Sequence, residues 1–393
     1  MDVRPRSTLL DLDGLQRVVD LLDADVHAPV VRADDLVVAP IRSVGALPVA
    51  WGSTSVPGEV TPMRRSDRAR FGWALTSSSW KSFVHPPRIR TMTIGRSAAP
   101  GEGPGDDDRD GRRGGDAVPV SVTTRTSRRQ ALIGVRPCEL AALDRLDTVL
   151  SSEPIHRSLR DDTFIAVVNC STPASTCFCT SMDTGPHVEG RTTSHDLEIT
   201  ELVGDDDPVY VVHSVSRAGE RLLAALAAED VGEAVEDHHL TSVGEQRDRA
   251  EAAITRRLDP DDVRHTLADA HESPHWSDVG DRCLACANCT SVCPTCFCTN
   301  LQDIDRLGES DVERWRTWDS CFGLEFSRVG SSPIRSSIAS RYRQWMTHKL
   351  DTWHDQFGES GCVGCGRCIA WCPVGIDIAA EADALEAVGA GAT

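Results

Sequence analysis

Cys283-x2-Cys286-x2-Cys289-x3-Cys293-Pro294 and Cys362-x2-Cys365-x2-Cys368-x3-Cys372-Pro373 repeat one spacing within a 393-residue sequence. Three thiolates two residues apart wrap one corner of a cubane in a single tight loop. The fourth, just before proline, points away from that loop and reaches the other cluster, as in two-cluster ferredoxins. The expected ligand sets are therefore Cys283, Cys286, Cys289 and Cys372 for one [4Fe–4S] cluster, and Cys362, Cys365, Cys368 and Cys293 for a second. Structural zinc also takes four thiolates, but it pairs two C-x2-C knuckles and needs neither the third cysteine nor the Cys-Pro. Crossed ligation keeps the clusters close together, which favours electron passage between them.

Sixty-eight residues separate Cys293 from Cys362, too many for a small ferredoxin sandwich. In that gap Ser332 is placed to cap a helix with Pro333 at its first position. Ile334, Ile338, Tyr342, Met346 and Leu350 then recur every four residues as an apolar stripe. The expectation is an all-helical dicluster ferredoxin domain over residues 273–393.

Upstream the pattern changes. Leu132–Val135, Phe164–Val168 and Val209–Val212 read as strands, with helices expected at about 139–150, 217–229 and 245–257. Strand–helix–strand order predicts an α/β domain over residues 1–272 with a partly parallel sheet, and an α+β chain overall. Residues 1–96 mix short apolar runs with Pro and Gly and read as strands and turns. Residues 97–121, rich in Gly, Pro, Asp and Arg, read as a mobile surface loop.

Composition narrows the function. Fifteen cysteines behind an N-terminus with no export pattern point to a cytoplasmic protein whose thiols serve metal or redox chemistry. A net charge of −19 argues against nucleic acid as a partner. No run of about 18 apolar residues is present, so no membrane span is expected. Of 41 basic residues only Lys81 and Lys349 are lysine, a skew that GC-rich coding produces.

Seven cysteines lie outside the two runs. Thr176-Cys177-Phe178-Cys179-Thr180 and Thr295-Cys296-Phe297-Cys298-Thr299 are one pentapeptide used twice; Cys138, Cys170 and Cys321 complete the set. Cys138 follows one expected strand and Cys170 ends the next, so both fall at the sheet edge where α/β folds place ligands. Two readings stand open. Some of these thiolates hold one more iron–sulfur cluster, through Cys138, Cys170, Cys177 and Cys179 or through the two Cys-Phe-Cys pairs; or all are inert thiols packing an interface. Arg136, Arg335, Arg341 and Arg343 are candidates for stabilising a reduced cluster or docking an acidic surface, and equally for a solvated face.

Several stretches resemble a known family: Gly134-Val135-Arg136-Pro137-Cys138-Glu139-Leu140, Val168-Asn169-Cys170, Cys177 to Pro186, Cys293 to Cys298, Trp318-Asp319-Ser320-Cys321, Arg341-Tyr342-Arg343-Gln344 and Gly361 to Cys368. Together they resemble the β subunit of soluble NAD(P)-linked nickel–iron sulfhydrogenases and the similar 4Fe–4S dicluster subunit of anaerobic sulfite reductase. The likeness runs from about Trp80 to Ile378. It departs at Asp183, where the family more often has glycine, at the 97–121 insertion, and in residues 1–79.

The resemblance implies a non-catalytic electron-transfer subunit of an oxidoreductase complex. Its partners would be an NAD(P)H-oxidising flavoprotein subunit and the small and large subunits of a nickel–iron hydrogenase, or alternatively a sirohaem subunit of a sulfite or sulfur reductase. The sequence has no G-x-G-x-x-G after a strand, hence no nucleotide fingerprint of its own. Two further readings are a direct sulfur- or sulfite-reducing site built from the Cys-Phe-Cys pairs with Cys321, and an N-terminal domain that chiefly docks partners.

Overall fold

The computed structural model describes residues 7–74, 76–95, 120–123, 129–188, 192, 194–204, 206–305 and 311–391. The chain opens with β1 (Ser7–Leu10), the helix Leu12–Leu21, β2 (Asp25–Arg32) and β3 (Asp35–Pro40). A hairpin of β4 (Trp51–Val56) and β5 (Glu59–Arg64) follows, then β6 (Arg88–Gly95) and β7 (Val120–Val122). The α/β part runs β8 (Gln130–Val135), helices Pro137–Val149 and Pro154–Asp161, β9 (Thr163–Val168), β10 (Leu197–Leu202) and β11 (Val209–Ser214).

Seven strands form the main sheet in the order β1-β11-β10-β9-β8-β2-β3. Its centre, β10-β9-β8-β2, is parallel, and its edges are antiparallel. Every residue of β8 is buried, as expected for a strand covered on both faces. One face packs on Leu15, Val18, Leu222, Leu223 and Leu226 from the helices Leu12–Leu21 and Arg217–Ala228. The other packs on Trp80, Val84, Leu140, Leu143 and Leu146.

The sequence expectations meet this structure unevenly. The three expected strands are β8, β9 and β11. The helix Leu12–Leu21 was not anticipated, although Asp11 caps it by accepting from the Gly14 N–H at 2.8 Å. The helix expected at 245–257 spans Asp237–Ala253 instead, because Glu236 and His239 close a capping box eight residues earlier. The loop expected at 97–121 lies outside the described residues, except for Val120 and Ser121, which belong to β7.

The gap between the cysteine runs is not all helical. β12 (Thr299–Asp305) and β13 (Asp311–Trp318) fill it, and they join β6 and β7 in a four-stranded sheet ordered β12-β13-β6-β7. Val312, Trp315, Thr317 and Trp318 are strand formers, and Arg88 stacks on Trp315 across the pairing at 4.4 Å. Ser332 and Pro333 pair with Val329 and Arg328 rather than opening a helix. The helix begins at Ile338, where the Ser337 hydroxyl accepts from the Ser340 N–H. Ile334 is accordingly exposed, while Tyr342, Met346 and Leu350 are buried as the stripe predicts.

A second core lies around the cysteine runs and includes Trp276, Phe322, Tyr342, Trp345 and Met346. Phe178 and Met182, from the loop after β9, belong to it too. The two halves of the chain therefore share a core at this point. Among the described residues no helix is long and apolar enough to cross a membrane.

Candidate metal centre

Both cysteine runs fold alike. Ala285 and Ala287 take left-handed backbone angles (φ 49° and 64°), and so do Gly364 and Gly366 at the same places in the second run (φ 63° and 75°). This winding turns backbone N–H groups inward. Ala285 N donates to Cys283 Sγ, and Gly364 N to Cys362 Sγ, both at 3.4 Å. Each run continues into a short helix, Asn288–Val292 and Arg367–Ala370. Inward N–H groups suit thiolates bound to a cluster, whose sulfurs remain acceptors.

Each loop is tied to the other run. The Asn288 side-chain amide donates to the carbonyl of Trp371, next to Cys372. In return the Thr295 hydroxyl, two residues past Cys293, donates to the Gly361 carbonyl at 2.8 Å. Cys283, Cys286, Cys289 and Cys372 consequently line one small pocket of about 30 Å³, whose other walls include Phe322, Tyr342, Trp345 and Ile376. Cys368 reaches the same pocket. Ile376 N donates to Cys372 Sγ at 3.3 Å. Burial raises the thiols of the second group, Cys362, Cys365 and Cys368, and the charge of Cys293 raises each of them further, as it does Cys289.

Lys349 organises that second group. It is 4% exposed, lies in a π-helical turn (His348–Thr352), and donates from Nζ to Cys293 Sγ at 3.3 Å and Thr295 Oγ1 at 2.8 Å. Burial works to neutralise this ammonium, but Cys293, Cys296 and Cys362 together outweigh burial and hold its pKa above the usual value. Lys81, 1% exposed, donates to the Cys296 carbonyl at 3.0 Å and sits 3.9 Å over the Trp318 ring. Both lysines of the chain are thus buried beside one group of cysteines. Rarity was the available signal: lysine survives at two of 41 basic positions, and both serve here. Arg145 and Arg367, at 5% and 1% exposure, add two more buried cations. Sequence reasoning did not single out Thr295, Arg145 or Arg367.

The remaining cysteines separate into two groups. Cys296 hydrogen-bonds with Cys293, and Cys298 with Cys321, which holds the Cys298 thiol down at about 7 against the effect of burial. Cys138 and Cys170 lie just past the carboxyl ends of β8 and β9, and the following loop brings Cys177 and Cys179 back beside them. The two Cys-Phe-Cys pairs are thus placed in different groups. Asp183 adopts φ 52°, a left-handed conformation that favours glycine and that aspartate tolerates better than most residues.

The candidate arginines have mostly local roles. Arg136 is buried and donates to the carbonyls of Phe71, Trp73, Val168 and Asn169, pinning the strand ends. Arg341 donates to the carbonyls of Arg335 and Ser336 while lowering the Cys283 thiol slightly against burial. Arg335 bonds Ser327 and Gln344, and Arg343 the His271 carbonyl.

Residues 282–376 match the model of the 4Fe–4S dicluster domain, the stretch that holds both runs. The chain carries a 4Fe–4S dicluster domain and is similar to a sulfhydrogenase β subunit. The relation rests on similarity to sulfhydrogenase 2 subunit beta of Pyrococcus furiosus, 28% identical over 250 residues, which cover 63% of this chain and 71% of that protein. The winding, the inward N–H groups and the cysteine-lined apolar pocket all fit iron–sulfur clusters.

Proposed function

We propose that this chain is an iron–sulfur electron-transfer subunit of a sulfhydrogenase-type complex, placed between an NAD(P)H-oxidising flavoprotein subunit and the small and large subunits of a nickel–iron hydrogenase. One observation carries the reading: the two cysteine runs are tied to each other, with Cys286 exposed while Cys293 and Cys365 are buried. Cys283, Cys286, Cys289 and Cys372 would hold the outer cluster, and Cys362, Cys365, Cys368 and Cys293 the inner one. One-electron redox chemistry is what the two groups supply when bound.

The residues around them suit that use. Cys286 is exposed, and Leu284 and Val374 beside it expose 61% and 41% of their surface. Apolar side chains rimming a shallow site favour a protein partner over water. At the inner set Val363 and Cys365 exclude solvent, and Lys349, Arg145 and Arg367 offset the negative charge of four thiolates. Residues 1–272 would dock partners and residues 273–393 carry the clusters. The name of the Pyrococcus relative supports a hydrogenase complex over the sulfite-reducing alternative.

The test is reduction of the anaerobically purified chain, followed in the visible spectrum. NAD(P)H should bleach the clusters only after the flavoprotein subunit is added. Bleaching of the isolated chain by NAD(P)H alone would overturn the reading.

A further inference from the structure

Cys138, Cys170, Cys177 and Cys179 form a knot of thiols that the two dicluster ligand sets leave unused. We propose that they bind a third [4Fe–4S] cluster, in contact with the inner ligand set through Cys365. The proposal deepens the relay reading by lengthening the chain of redox centres into the α/β half.

Three separate segments converge to make the knot. Cys138 lies in the first turn of the helix Pro137–Val149, Cys170 follows β9, and Cys177 and Cys179 come from the loop beyond it. All four are free thiols, and Cys170, Cys177 and Cys179 are each less than one-tenth exposed. The loop folds back on them. Cys170 N donates to the Pro186 carbonyl at 3.0 Å. A side chain on the neighbouring Gly185 would meet Cys179 Sγ at 3.2 Å and Cys138 N at 3.7 Å. The sulfurs feel one another: after burial, Cys138 is raised chiefly by Cys179, Cys365 and Cys177, and Cys179 by Cys177 and Cys170.

The surroundings are closely tied and include a buried ion pair. The Asn169 side chain donates to Glu198 and Thr200 and accepts from Val188 N, closing the base of the loop. Phe178 N donates to the Gly364 carbonyl at 2.8 Å, and the Thr184 hydroxyl to the Val363 carbonyl at 2.6 Å, which clamps the loop to the second cysteine run. Arg367, fully buried, pairs with Glu139 at 3.1 Å and extends its charge to Cys365 and Cys138. The amino end of a 13-residue helix adds favourable partial charge at Cys138. Four thiols losing their protons to a metal centre need such compensation. Inert packing thiols have no reason to be adjacent to one another and to a buried arginine.

The knot also abuts the inner set. Cys177 Sγ lies 3.6 Å from the Cys365 carbonyl, and Cys138 packs in the apolar cluster that contains Cys365. Zinc is the other metal for four thiolates, but its sites are built on C-x2–4-C knuckles, and the only pair close in sequence here has a single residue between its cysteines.

The experiment is metal and acid-labile sulfide analysis of the full chain purified without oxygen, with spin quantitation after reduction. About twelve irons and twelve sulfides per chain are expected, falling to about eight in the Cys177→Ser/Cys179→Ser double variant with the dicluster signals retained. Cys138→Ser, at a helix position where serine is well accepted, should show the same drop if the double variant fails to fold. About eight irons in the unaltered chain, with or without one zinc, would overturn the third cluster and leave the relay reading standing. Fewer than that would break the relay reading itself.

Discussion

The two cysteine runs share a backbone and differ in what surrounds it. Left-handed residues occupy the same positions in both, yet the first run uses alanine there and the second glycine. Packing explains the difference. A Cβ on Gly364 would lie 2.6 Å from the Phe178 carbonyl group, and one on Gly366 2.4 Å from the Thr176 oxygen. In the first run Ala285 and Ala287 are only partly buried, against the second core, and keep their side chains in the left-handed conformation. Loop winding is thus a local matter of spacing, whereas depth comes from the α/β half pressing on one run alone. The result is one group of cysteines with an apolar rim and a more buried group beside Lys349 and Arg367.

Ligand removal should separate the two most sharply. Cys365→Ser should lose about four irons and lower the melting temperature markedly, because it opens a buried interface. Cys286→Ser should lose its cluster, or one iron of it, with little change in melting temperature. Equal destabilisation by the two variants would erase the distinction between inner and outer.

Glycine replacement probes the same contrast without touching a ligand. Gly364→Ala should cost at least about 2 kcal/mol, from left-handed strain plus a backbone clash. Ala285→Gly should stay within about 1 kcal/mol of the parent, since relief of strain and the added chain entropy oppose each other. Denaturant unfolding of the apo- and holoproteins measures both, and a tolerated Gly364→Ala would contradict the close approach of Phe178.

Charge offers a finer test. Lys349→Met removes the ammonium that donates to Cys293 and should make the inner cluster about tenfold harder to reduce, a shift of about 59 mV for one electron. Arg341→Met, near Cys283 at the outer set, should shift its cluster less because solvent screens that site. Redox titration followed by electron paramagnetic resonance reads both shifts, and a larger effect at Arg341 would reverse the assignment.

The smallest expected effect concerns pH. Burial, then Arg316, Lys81 and His156, hold the imidazole of His85 neutral down to about 3, against 6.5 when exposed. His85 stacks on Trp318, the ring beneath Lys81. A base whose folded pKa is depressed binds more protons in the unfolded chain, so its stability contribution is complete above 6.5 and declines as pH falls toward 3. The melting temperature should therefore drop between pH 7.5 and 5.5, and His85→Gln should flatten that slope. An unchanged slope would show that this wall of the inner site does not govern acid sensitivity.

Much of this was legible in the sequence. Metal-binding loops are short, so their residue types and spacing are written contiguously, and two matching runs identify themselves. Consecutive buried strands such as β8 and β9 are legible for a similar reason, and with them the placing of Cys138 and Cys170 at one edge. The β12–β13 hairpin was hidden because its partner strands lie about two hundred residues upstream, and no local pattern announces such pairing. Lys349 and Lys81 were visible only as an oddity of composition.

Spacing alone determined that two groups of thiols exist and what they suit, because a tight turn reaches only its own neighbours. Tertiary structure alone decided which group faces solvent, which cations lie against it, and which of the other cysteines meet. Those depend on distant segments sharing one core, where burial makes each charge count for more than it does in water.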